Sequence, residues 1–148
     1  SSMRITHKKE DGEGTVELYP LQAGEGYSFD GGLDTYCHID APTRDFNVMA
    51  LEESVDAFAR LHSLLEGNKL RVPVSGDTVV LHSVVGGVVV QMDEGGEAAQ
   101  RITVTEGEML KIQKAEVQER VLVIETVEGT SGTVQFIVVT ICKKGNKA

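Results

Sequence analysis

Apolar positions along this chain recur in short runs rich in valine, isoleucine and threonine. The runs cover residues 15–19, 35–39, 45–50, 69–74, 78–83, 87–92, 101–105, 108–113, 120–127 and 133–142. Glycine-bearing turn signals fall between them. Some runs alternate strictly: from Arg101 to Thr105 only Ile102 and Val104 take the apolar side. The acidic, glycine-rich stretch 93–97 predicts a hairpin connection. Short strands with a turn signal every ten or so residues predict an all-β fold, an antiparallel sandwich or barrel.

One segment carries two patterns. Between residues 52 and 65, Val55, Phe58, Leu61, Leu64 and Leu65 follow helical spacing, and Gly67-Asn68 would stop such a helix. The same residues also make an irregular strand, with Phe58 and Leu64 on one side beside Arg60 and His62. Periodicity by itself favours the helix.

The length of 148 residues suits one domain, so residues 1–148 are read as a single unit ending in a short basic tail, 143–148. Hydrophobic residues at 41% and charged residues at 25% fit a globular chain. A net charge of −9 argues against nucleic acid, which needs a basic surface to displace counterions. The longest apolar runs, 84–90 and 136–142, have strand length, well short of the roughly 18–20 residues that cross a bilayer. No membrane partner is expected. Ser1 and Ser2 before Met3 read as appended residues, and the start carries no leader pattern. Cys37 and Cys142 lie far apart and are read as free thiols, which places the protein in the cytoplasm.

Familiar chemistry is sparse. No Gly-x-x-x-x-Gly-Lys loop or Cys-x-x-Cys pair occurs. His7, His38, His62 and His82 stand apart, with no His-x-His, and a metal site needs three or four convergent ligands. Each histidine is read as a surface or partly buried polar residue; neither metal nor cofactor is expected. Cys37 beside His38 would point to the opposite face of a strand, so Cys37 is read as a small core hydrophobe and not as a nucleophile.

Residues 29–49 are unusual for the polar groups crowded into them. Asp30-Gly31-Gly32 supplies a tight turn, and Pro42 fixes the approach to the next run. Alternation puts Arg44 with Phe46 and Val48, and Asp45 with Asn47 and Met49. An inward Arg44 would receive a carboxylate or phosphate in bidentate fashion. An inward Asp45 with Asn47 would orient a polar ligand. The structural alternative is an internal network, with Asp45 capping the Pro42 turn and Arg44 pairing with a neighbouring acid.

These residues resemble the signature of the HutD/Ves family: a Phe-x-Gly-Asp-like turn, then Gly-Pro-x-Arg-Asp-Phe-Asn-x-Met. Arg44, Asp45, Phe46, Asn47 and Met49 match, as do Phe29 and Gly31. Ala41 replaces the glycine before Pro42, and Gly32 stands where the turn's acid is often found. The stretches 81–90 and 102–110 resemble the strand–glycine–strand element and later turn of cupins. The resemblance runs from about residue 15 to 142 and covers the later part of the family's usual chain, which begins with a Trp-x-x-Gly-Gly segment; this chain has no tryptophan.

The resemblance implies a cupin-like, RmlC-type jelly roll with a metal-free small-molecule pocket, and a strand at 57–65 rather than a helix. For function it implies control of histidine utilisation, with a formylated amino acid as suspected ligand, or a role in cold and stress responses. The first expectation is therefore a non-enzymatic binding protein for a small anionic metabolite. Arg44 holds the anion, Asp45 and Asn47 orient it, and Tyr36 and His38 line the approach. The alternatives are a cofactor-free isomerase or hydrolase with His38 or Asp45 as general base, and a β-sheet module that forms a homodimer.

Overall fold

The computed structural model describes residues 3–8, 15–74, 76–93, 100–113 and 120–145. The chain divides into two compact units, Ser1–Met49 and Ala50–Ala148. Every regular element in the described residues is a strand.

The first unit holds β1 (Met3–Lys8), β2 (Thr15–Leu21) and β3 (Thr35–Ile39), in the antiparallel order β2-β1-β3. Strand β1 lies outside the runs expected from the sequence. Its pattern is a plain alternation: Ile5 and His7 are buried, while Arg4 and Lys8 on the other side are exposed. Edge strand β3 is exposed at all five positions. Cys37 is thus exposed and no core hydrophobe.

The second unit contains β4 (Val55–Leu65), β5 (Lys69–Val74), β6 (Thr78–Val85), β7 (Val88–Asp93), β8 (Arg101–Val104), β9 (Met109–Gln113), β10 (Arg120–Thr126) and β11 (Thr133–Lys143). Strand β4 takes up the ambiguous segment and settles it as strand. Most of the connection expected at 93–97 lies outside the described residues, but β7 and β8 are antiparallel neighbours as it requires.

Pairing in this unit is nested. Strand β7 pairs with β8, β6 with β9, β5 with β10 and β4 with β11. The long hairpin is rolled up by two further ladders, β7 to β10 and β6 to β11. Two four-stranded sheets result, ordered β5-β10-β7-β8 and β4-β11-β6-β9. This is the strand order of an eight-stranded jelly roll.

Alternation in the sequence fills its interior. Val79, Leu81 and Ser83 of β6 point inward, as do Val134, Phe136 and Val138 of β11. The apolar ones join Leu64, Val74, Val88, Val90, Val104, Leu122 and Ile124 in one core cluster drawn from both sheets. The buried hydroxyl of Ser83 donates to Gly86 O at 2.5 Å, so its burial leaves no polar group unmatched.

Candidate functional site

The expected site residues all lie in the first unit. Tyr36 and His38 occupy β3 opposite Thr6 and Arg4 of β1, so the pair shares the side that carries Arg4, Thr6 and Lys8. The Lys8 ammonium sits 5.4 Å above the Tyr36 ring. Tyr36, through its hydrogen bond and its charge, and then Asp34 hold that ammonium above the ordinary lysine range.

The other side of the sheet fixes β3 in place. His7 is only 4% exposed, its Nδ1 lies 2.8 Å from Thr35 Oγ1 and its Nε2 3.3 Å from the Tyr27 hydroxyl. Thr35 donates its single hydroxyl proton to Leu33 O at 3.0 Å. It must therefore accept from Nδ1–H, and in the neutral ring Nε2 then accepts from Tyr27. The Phe29 ring packs 4.9 Å from His7 and stacks on Tyr27 at 5.6 Å. A buried histidine is thus the hub between β1, β3 and the 27–33 loop. Sequence reasoning missed this strand; the alternation of Met3, Ile5 and His7 is the signal that could have found it.

The tight turn expected at Asp30-Gly31-Gly32 is formed. Gly32 N–H donates to Asp30 Oδ1 at 2.8 Å and Leu33 N–H to Asp30 O at 3.1 Å. Asp30 therefore supplies the carboxylate of the turn, two positions before the place where the family pattern puts it.

The strand expected at 45–50 does not form. Residues 42–50 run without ladder partners. Pro42 has no N–H to offer a sheet, and the Asn47 amide donates to Asp45 Oδ2 at 2.8 Å, a local bond that competes with pairing. Neither side of the segment enters a core: Arg44, Asp45 and Asn47 are exposed, while Thr43 and Phe46 are half-buried. The structure brings Asp45 to Asn47 and sets Tyr36 beside His38. Among the described residues no hydrogen bond joins either pair to Arg44.

Elsewhere, Cys37 and Cys142 are both free. Among the described residues no three His, Cys, Asp or Glu side chains gather around a common point, and no helix is long and apolar enough to cross a membrane.

The HutD family profile matches residues 2–128. This chain belongs to the HutD family. The resemblance read from residues 29–49 is therefore a true membership, and the all-β, cupin-like jelly roll is its fold. Among solved structures, this HutD chain is similar to a conserved protein of unknown function from Pseudomonas aeruginosa PAO1. The TM-score is 0.72 at 18% identity, over 97% of this chain and 68% of that one. An RmlC-like cupin with a double-stranded β-helix fold from Methanocaldococcus jannaschii aligns with a TM-score of 0.41 at 16% identity, over 81% and 92% of the two chains. A cupin superfamily protein from Desulfitobacterium hafniense aligns at 0.41 and 15%, over 64% and 84%. No curated protein matches the sequence.

Proposed function

We propose that this HutD-family chain binds a small carboxylate metabolite through Arg44, as a binding or regulatory protein and not an enzyme. One observation carries the reading. Arg44 is exposed, while the carboxylate beside it in sequence, Asp45, is already engaged by the Asn47 amide at 2.8 Å. A solvent-facing guanidinium next to a satisfied acid suits bidentate capture of an external carboxylate. Asp45 and Asn47 fix the local backbone for it, and Tyr36 and His38 supply hydroxyl and imidazole groups on one side of β3. The family's suspected ligand, a formylated amino acid, has the matching charge.

The test is a thermal-shift titration with formate, glutamate and N-formylated amino acids. A ligand that binds only the native state raises stability by about 2.7 kcal/mol at a hundredfold excess over Kd. The expected result is a saturable rise in Tm that Arg44→Ala abolishes, with the unliganded variant melting like the parent. Equal shifts in parent and variant, or no shift with any of these ligands, would overturn the reading.

A further inference from the structure

The core-facing side of β4 changes character along its length. Alternation puts Phe58, Arg60, His62 and Leu64 on one side, and Arg60 and His62 stand opposite Val138 and Phe136 of β11. Both of those partners are core residues, so this side faces the opposing sheet. Burial nevertheless fades toward the start of the strand. Leu64 is 7% exposed, His62 half-buried, Arg60 exposed and Phe58 66% exposed. The inner face of this edge strand runs out of the core as an open ledge.

His62 sits at the seam. Its ring lies flat against buried Phe136, with centroids 5.5 Å apart and planes 18° from parallel. Burial, and then the positive charge of Arg60, push its imidazole below the ordinary histidine range. Among the described residues no carboxylate pairs with Arg60, and no group hydrogen-bonds a ring nitrogen of His62. Asp56, an acid on the same side, is bound by Lys144 at 3.3 Å. In a chain of net charge −9, this leaves the Arg60 guanidinium without an acid partner among the described residues, beside the His62–Phe136 stack.

We propose that the ledge is a second binding site, for a carboxylate with a flat apolar body. Arg60 takes the carboxylate through its guanidinium fork. His62, neutral, donates one ring N–H to the same group, and the exposed Phe58 ring covers the apolar part. The site belongs to the second unit and rests on nothing assigned to Arg44.

The experiment is an NMR titration of the full chain with sodium benzoate at constant ionic strength, with benzamide as the uncharged counterpart. Benzoate is expected to move the His62 and Phe58 ring resonances saturably, while those of His7, His38 and His82 stay in place. Arg60→Gln is expected to weaken binding about tenfold or more, the loss of a charge-assisted hydrogen bond. Arg60→Lys retains part of the affinity, and His62→Gln costs a few-fold. Arg44→Ala leaves the benzoate titration unchanged, so this site and the Arg44 reading can fail separately. No saturable movement at His62, equal affinity in Arg60→Gln, or equal binding of benzamide would each overturn the proposal.

Discussion

Gly86 joins β6 to β7 with φ +72°, and a Cβ added there would lie 2.8 Å from Cγ1 of fully buried Val134. Gly107 has a similar φ, +85°, but an added Cβ there has no atom within 4 Å. The two positions separate backbone strain from collision. The left-handed conformation costs an L-residue about 1–2 kcal/mol. Alanine also restricts the unfolded chain, which offsets about 0.4–1 kcal/mol of that. Gly107→Ala should therefore lose about 1 kcal/mol. Gly86→Ala carries the same net cost plus about 1–3 kcal/mol for overpacking against Val134, so about 2–4 kcal/mol in all. Urea unfolding of both variants measures the difference. Adding Val134→Ala to Gly86→Ala relieves the collision, so the double-mutant cycle should show a favourable coupling of about 1–3 kcal/mol. Equal losses at the two glycines, or strict additivity with Val134→Ala, would refute the packing argument.

Two further outcomes follow from polar contacts. Thr35→Val strips His7 Nδ1 of its partner and should cost about 1–3 kcal/mol, read as faster hydrogen exchange at the β1 amides; unchanged exchange would count against the hub. Lys69, by hydrogen bond at 3.1 Å, and Arg101, by charge, hold Glu125 below the ordinary glutamate range. Its contribution is therefore present above about pH 4.3, the unfolded value, and is lost as pH falls through the lower folded one. Glu125→Gln should flatten that acid-side slope in urea midpoints. Both cationic partners are exposed, so the effect stays under about 1 kcal/mol and fades with salt.

Where two-residue alternation was strong, the sequence was a sufficient guide. The strands β6, β8 and β11 follow from short runs rich in valine and isoleucine, and every second residue of β6 and β11 turns inward. Strand β4 was harder, because leucines at helical spacing also satisfy a strand once β11 supplies a partner for all eleven of its residues. That pairing is tertiary, and no local pattern encodes it. Strand β1 is hard to read because its inward positions include a histidine, and a polar residue breaks the apolar count even when its partners satisfy it. The 45–50 segment misled for the opposite reason. Phe46, Val48 and Met49 give it the composition of a strand, but Pro42 and the Asp45–Asn47 bond deny it a ladder. The candidate residues were visible as chemistry; their exposure was not, since burial depends on what stands across from them.

The nested pairing also constrains how the jelly roll comes into being. Only the β7–β8 hairpin joins segments close in sequence; each further pair, β6 with β9, β5 with β10 and β4 with β11, spans a longer loop whose closure costs more entropy. Such topologies fold on a scale of about milliseconds to seconds. During synthesis the delay is greater. Strand β11 lies between β4 and β6 and bonds to both, so neither can complete its sheet until residues 133–143 have left the ribosome. Until then the valine-rich side of β6 and the long edge of β4 are open to other nascent chains, which makes β11 the strand that ends the jelly roll's period of greatest aggregation risk.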